Sequence, residues 1–112
     1  MKRIAVPINE NGILHSHFGH CKYFALIDVE ENKISSHEIV EPPAHEPGVL
    51  PKWLAQKGVT DVLTGGIGNR AIQNFNQQNI NVFAGAPTLP SQELVTGFID
   101  KSLTFTSNCC DH

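Results

Sequence analysis

The chain has 112 residues and a formal net charge of -3, and only eight of its residues are lysine or arginine. This length suits one domain with its own core, and the charge argues against a nucleic-acid surface, which needs clustered positive charge. No apolar run is long enough to span a membrane, and three cysteines do not make the even, spaced framework of a secreted disulfide scaffold. Because the chain enters a strand pattern without a signal-peptide pattern, we expect a cytoplasmic protein with no membrane contact.

Apolar patterning predicts one α/β domain over residues 1–100. The predicted strands cover residues 4–8, 23–29, 34–40, 61–64 and 81–84, and the predicted helices cover about 49–57, a segment after residue 70, and a segment for which Ser91 is the N-cap. The strand over 23–29 is nearly all apolar and therefore central, whereas its polar hairpin partner over 34–40 suits a sheet edge. A strand, glycine turn, helix and strand over 61–84 predict a parallel crossover, so the sheet is expected to be mixed. Residues 101–112 are either a C-terminal tail or end in a final short strand.

Three imidazoles and a thiol lie within seven residues of one another, at His15, His17, His20 and Cys21. Such close donors must share a loop or strand end, because a continuous strand would send alternate side chains to opposite faces. Gly19 lets the backbone approach a ligand, and histidine is the commonest metal ligand. The alternative is a polar surface loop that happens to be rich in histidine.

A glycine turn follows the buried strand over 61–64 and consists of Gly65, Gly66, Ile67 and Gly68. Glycines between a strand and a helix allow backbone amides to approach a ligand, and the helix N-terminus favours negative charge. The turn matches neither a P-loop nor a dinucleotide fingerprint, and Arg70 could add donors to a bound anion. The alternative is that these glycines only permit a tight strand-to-helix turn.

The end of the chain adds two thiols and an imidazole, from Cys109, Cys110 and His112. Soft sulfur ligands select copper(I), zinc or iron-sulfur units, but without a C-x-x-C pair a closed zinc site is weakly supported. A tail without a ligand is the alternative. We predict no enzyme: His20 and Cys21 are adjacent and point apart, and the carboxylates are too scattered for two-metal chemistry.

Five segments together resemble the dinitrogenase iron-molybdenum cofactor family, and within it the orange proteins, which hold a molybdenum-copper sulfide cluster. They are Ile4-Ala5-Val6-Pro7, His17-Phe18-Gly19-His20-Cys21, Phe24-Ala25-Leu26-Ile27-Asp28, His45-Glu46-Pro47-Gly48 and Gly65-Gly66-Ile67-Gly68. The resemblance covers residues 2–100. It implies a ribonuclease H-like fold with a mixed five-stranded sheet flanked by about three helices, and a protein that binds or carries metal-sulfur clusters without turning over a substrate.

By position, the resemblance implies a cluster surrounded by three segments. The first segment is the loop with His17, Gly19, His20 and Cys21, and the second is the proline-rich loop with His45. The third is the glycine turn and the start of the next helix, with Gly65, Gly66, Gly68, Asn69 and Arg70. Orange-type relatives hold their cluster without protein-metal bonds, which implies that histidines donate hydrogen bonds to sulfides. Direct ligation remains open, with His15, His17, His20, Cys109, Cys110 and His112 as the candidate metal ligands.

The expected cofactor is thus a molybdenum-copper sulfide or an iron-molybdenum cluster, and the expected protein partner is an ATPase or a cluster acceptor. Two other functions stay open. The chain could be a regulator that binds zinc or copper alone. It could also be an interaction module in which the histidine loop, with His15, His17, His20 and Cys21, plays no part. The oligomeric state is also open.

Overall fold

A mixed β-sheet forms the centre of the domain. The computed structural model describes residues 2–15, 22–43 and 49–107. The strands are β1 (Lys2–Ile8), β2 (Tyr23–Glu30), β3 (Lys33–Val40), β4 (Asp61–Leu63), β5 (Asn81–Ala84) and β6 (Thr106–Ser107), and the helices are α1 (Val49–Gln56), α2 (Asn69–Gln77) and α3 (Ser91–Ile99). The strand order is β3-β2-β1-β4-β5-β6. β1, β4 and β5 run parallel, whereas β2 pairs antiparallel with both β1 and β3.

Helices cover both faces of the sheet, because the central strands are apolar on both sides. One face buries Ala5, Phe24 and Val62 against residues of α1 and α2. The other face buries Val6 and Ile27, together with neighbouring apolar residues, against α3. Strands buried on both faces read as continuous apolar runs, which is the pattern that predicted them.

The structure confirms the predicted α/β class, the five main strands, the parallel crossover from β4 to β5 and the three helices. Thr106–Ser107 add a two-residue strand that pairs with β5. The ribonuclease H-like label stays a prediction, with which the strand order does not conflict. In the described part of the chain, no helix is long and apolar enough to cross a bilayer.

The prediction of Ser91 as an N-cap is wrong by one residue. Pro90 holds the N-cap position of α3, and Ser91 is the first helical residue. Ser91 is buried, and its backbone N–H donates to the carbonyl oxygen of Gly12 at 3.1 Å. The loop after β1, rather than a serine side chain, thus engages the start of this helix.

The Arg3 side chain joins β1 to β2 and to the segment after α1. Its Nε and Nη2 donate to Oδ1 and Oδ2 of Asp28 at 2.6 and 3.1 Å, and its Nη1 donates to the carbonyl oxygen of Lys57 at 2.6 Å. The Ser36 hydroxyl donates to the same Asp28 carboxylate at 2.8 Å. The hydrogen bond from Arg3 is the main reason that the pKa of Asp28 lies below its ordinary value.

Acid should therefore weaken the fold through Asp28. The lowered pKa means that this group contributes stability above its unfolded pKa of about 3.9, and that the contribution disappears as the pH falls through the lower folded value. Asp28→Asn should reduce the free energy of unfolding by about 1 kcal/mol at neutral pH and by much less near pH ~2, measured by urea denaturation. An equal loss at both pH values would contradict this account.

A matched control is the exposed pair in which Lys22 Nζ lies 2.9 Å from Glu10 Oε2. Its side chains are 67% and 61% exposed, so water screens the attraction. Glu10→Gln should leave the unfolding curve unchanged at neutral pH.

Gly97 lets the chain after α3 close against the helix. Gly97 is buried, and a Cβ at this position would overlap Cγ and Cδ1 of Leu103. The backbone N–H of Leu103 donates to the Gly97 carbonyl oxygen at 3.2 Å. A side chain at position 97 would therefore push the segment over 101–105 away from α3.

Gly97→Val should lower the free energy of unfolding by about 1–3 kcal/mol, because overpacking outweighs the gain from replacing a helical glycine. Guanidinium denaturation measures the loss. Thr96→Val, on the exposed side of the same helix, should change the value by less than about 0.5 kcal/mol. If Gly97→Val were as stable as the wild type, the close contact with Leu103 would be excluded.

Candidate functional site

The carboxyl ends of β1, β4 and β5 lie side by side, because these three strands are parallel. They form the carboxyl edge of the sheet, the border at which these strands end. The antiparallel strand β2 begins at this edge, and β3 ends there. The loops over 9–22, 41–48 and 64–68 therefore all start or end at the same edge. In open α/β sheets this edge is where ligands usually bind.

Only some of the predicted site residues lie in the described ranges. These are His15, Gly65, Gly66, Gly68, Asn69 and Arg70. The predicted positions His17, Gly19, His20, Cys21, His45, Cys109, Cys110 and His112 lie outside the described residues.

His15 lies close to the end of β1. Its backbone N–H donates to the carbonyl oxygen of Pro7 at 2.9 Å, and the adjacent Leu14 forms an isolated bridge with Ile8. The side-chain oxygen of Asn9 accepts the backbone N–H of Ile13 at 3.2 Å. The segment over 9–15 is thus tied to the sheet, and the histidine loop leaves from this point. Among residues with described positions, no three His, Cys, Asp or Glu side chains lie close enough together to hold a metal ion.

The glycine turn presents a row of backbone N–H groups. Those of Gly66, Ile67 and Gly68 donate no hydrogen bond to any described residue. The row continues into α2, whose first internal hydrogen bond runs from the N–H of Ile72 to the carbonyl oxygen of Gly68 at 3.1 Å. Gly68 is the N-cap of α2, and no side chain caps this end. Within the described ranges, the N–H groups over 66–71 therefore have no acceptor, and an outside acceptor could bind them.

The backbone conformation of the turn does not require glycine at position 68. Gly68 has φ -78° and ψ 157°, which other residues adopt readily. A Cβ there would meet no described atom within 4 Å, and a Cβ on Gly65 would make only ordinary contacts at 3.5 Å. A tight turn alone therefore does not explain Gly68, whereas the close approach of a ligand to the backbone would.

Thr64 immediately precedes the turn, and its hydroxyl is unpaired among the residues that the structure describes. Its side chain is fully buried, and its Oγ1 has no hydrogen-bond partner among the described residues. Its backbone is satisfied, because the N–H donates to Phe83 and the carbonyl accepts from Ala86, both at 3.0 Å. Strand alternation places Thr64 on the same side as Val62, the side covered by α1 and α2. A buried hydroxyl without a partner is costly, and because solvent does not reach it, a ligand could contact it only after neighbouring groups moved.

Sequence reasoning did not select Thr64 as a site residue. The available signal was one hydroxyl at the end of the otherwise apolar run Val62-Leu63, directly before the glycines. Pattern alone cannot tell a satisfied threonine from an unpaired one.

The charge at the start of α2 suits an anion. No acidic residue lies in the first turn of α2, and the first-turn residues Asn69 and Arg70 are exposed. Arg70 forms no ion pair within the ranges that the structure describes. The helix N-terminus, the open amides and one guanidinium therefore all favour negative charge at the same place.

Comparison with known proteins identifies similar sequences and similar folds. A family model described as "Dinitrogenase iron-molybdenum cofactor" matches residues 1–101. The uncharacterized protein MJ0580 of Methanocaldococcus jannaschii is 32% identical over 108 residues, which cover 92% of this chain and 90% of that protein.

Two solved structures are similar to this chain in both sequence and fold. The crystal structure of PH0822 is 35% identical with a TM-score of 0.85, over 93% of this chain and 96% of that one. The apo form of the orange protein from Desulfovibrio gigas is 25% identical with a TM-score of 0.80, over 96% of this chain and 97% of that one.

Proposed function

The chain belongs to the dinitrogenase iron-molybdenum cofactor family, and from this premise we propose that it binds an anionic metal-sulfur cluster at the carboxyl edge of its sheet. The cluster is of the molybdenum-copper or the iron-molybdenum type. The protein holds or carries it and catalyses no reaction, and an ATPase or a cluster acceptor is the proposed protein partner.

The open amides over 66–71 are the observation that carries this proposal. Sulfides and thiometallates are negatively charged acceptors, and an oriented row of N–H groups at a helix N-terminus stabilises such charge without a basic patch. This agrees with a chain whose formal net charge is -3. Local donors, rather than the overall charge, would retain the cluster.

Arg70 extends this donor set. Its guanidinium is exposed at the first turn of α2. Charge-assisted hydrogen bonds from such donors are stronger than neutral ones. The donors present therefore match an anionic cluster better than a bare metal cation.

The histidine loop and the proline-rich loop supply the rest of the proposed site. His17, His20 and His45 would donate hydrogen bonds to sulfides, and Gly19 and Cys21 would line the same crevice. This part of the proposal rests on the sequence resemblance and on the shared edge from which both loops leave. Direct ligation of a metal is the competing arrangement, with His15, His17, His20, Cys109, Cys110 and His112 as its candidate ligands.

The proposal is tested by mixing the purified protein anaerobically with tetrathiomolybdate and copper, followed by gel filtration. Protein that binds a cluster should elute with intense visible absorption and tightly associated metal and sulfide. Colourless, metal-free protein would refute cluster binding. A parallel titration with zinc alone tests the regulator alternative, which predicts new amide protection around Cys109, Cys110 and His112.

A further inference from the structure

A cavity of about 400 Å³ lies on the α3 side of the sheet, toward the end opposite the glycine turn. Lys2 and Ile4 reach it from the start of β1, and Val29 reaches it from the end of β2. Because β1 and β2 are antiparallel, these positions lie away from the edge that carries the proposed cluster site. A cavity of this volume can hold a small organic molecule.

Aromatic rings form one wall of this cavity. The Phe98 ring lies between those of Phe83 and Phe105, with centroid distances of 4.8 and 5.8 Å. Their tilted and edge-on arrangements are the favourable geometries for aromatic pairs, so the rings hold one another in place. With Ile4, Val29 and Leu103, the rings make a surface that favours an apolar ligand.

The chain after α3 forms a second wall. It reverses direction at Lys101, which has a positive φ of 63°, and Leu103 then packs over Gly97. This return places Lys101, Leu103 and Phe105 along the cavity. The backbone hydrogen bond from Leu103 to Gly97 fixes this wall to the helix.

The polar rim of the cavity is positively charged. Lys2 and Lys101 line it, and no acidic residue is among its described lining residues. Lys2 Nζ lies 5.6 Å from the centroid of the Phe98 ring and 3.9 Å from the carboxylate of Asp61. Asp61 itself is buried outside the lining, and the Asp100 carboxylate accepts a backbone N–H two residues later at 2.8 Å. Lys2 is thus paired with Asp61 only at 3.9 Å and its side chain is 55% exposed, whereas the exposed Lys101 forms no ion pair with any described residue.

We propose that this cavity binds a small carboxylic acid with an apolar body. The apolar part contacts the Phe83, Phe98 and Phe105 wall, and the carboxylate lies at the rim with Lys2 and Lys101. Apolar burial and opposite charge then act at two ends of one ligand, which selects acids over neutral or cationic molecules of the same shape. This site is separate from the proposed cluster site and does not depend on it.

Titration of the cluster-free protein with phenylbutyrate, monitored by amide chemical shifts, tests this proposal. The shifts should concentrate at 2–4, 29–32, 83 and 98–105, and should leave 66–71 unchanged. Phenylbutanol should bind about fivefold more weakly, and phenylbutylamine more weakly still, because one exposed ion pair is worth up to about 1 kcal/mol. Equal binding of the three compounds, or shifts that map elsewhere, would overturn the proposal.

The chain offers a matched pair of lysines as variants. Lys2 and Lys57 each place an ammonium near an aromatic ring, with Nζ 5.6 Å from the Phe98 centroid and 5.2 Å from the Trp53 centroid. Lys2→Gln and Lys101→Gln should each weaken phenylbutyrate binding severalfold, whereas Lys57→Gln should not change it. If neither rim variant weakened binding, or if Lys57→Gln weakened it equally, the assignment of the carboxylate to this rim would be wrong.

Discussion

The Gly68→Ser variant is expected to bind the metal-sulfur cluster about tenfold more weakly than the wild type while gaining a few tenths of a kcal/mol in folding stability. Gly68 has the extended conformation of an N-cap, so a serine hydroxyl would accept an N–H of the first turn of α2. That hydrogen bond stabilises the helix but removes an amide from the cluster. Binding is measured by metal retained after anaerobic gel filtration, and stability by urea denaturation.

Gly68→Ala is the matched control, because it adds a Cβ without a capping oxygen. The structure has room for that Cβ, with no described atom within 4 Å. Alanine is a poorer N-cap than glycine but reduces the entropy of the unfolded chain, so stability should change by less than about 1 kcal/mol. Its binding should exceed that of Gly68→Ser. Full cluster binding by a stabilised Gly68→Ser variant would show that the first-turn amides are not used.

Phe75→Ala is expected to cost about 3–5 kcal/mol of folding stability and to abolish retention of the cluster. Phe75 is fully buried and is the one buried residue among those of α2, where it packs in the cluster that includes Phe24 and Val62. Loss of the ring would leave α2, which carries the open amides, without its main apolar contact. Guanidinium denaturation and the gel-filtration assay measure the two effects.

Phe75→Leu is the matched control, because it tests whether apolar volume at this position is sufficient for stability and cluster binding. Leucine keeps most of the apolar volume, so the variant should be destabilised by less than about 1.5 kcal/mol and should retain the cluster. A Phe75→Ala protein that stayed within about 1 kcal/mol of the wild type would contradict the anchoring role of the ring.

Local patterns in the sequence were sufficient for the main elements of the fold. The apolar run over 23–29 predicted a strand buried on both faces, and the polar run over 34–40 predicted an edge strand, on which His37 is exposed. Such runs are informative because a strand's own pattern of apolar and polar residues reflects which of its faces are buried. The glycine turn after the strand over 61–64 was likewise recognisable from its own residues.

Features that depend on distant residues were not predictable. The overlap that keeps Gly97 a glycine involves Leu103, and nothing in the helical pattern of α3 indicates that the chain returns over it. Likewise, the unpaired state of the Thr64 hydroxyl depends on which acceptors the fold brings near it. The cavity beside Phe98 arises only when β1, β2 and the segment after α3 meet.

Metal and sulfide analysis of the protein purified without oxygen from its own source is the most direct test of cluster binding. We expect molybdenum with copper, or molybdenum with iron, to co-elute with the protein in a fixed ratio together with acid-labile sulfide. A protein that carries no sulfide, and either no metal or only zinc or copper, would contradict the proposed site.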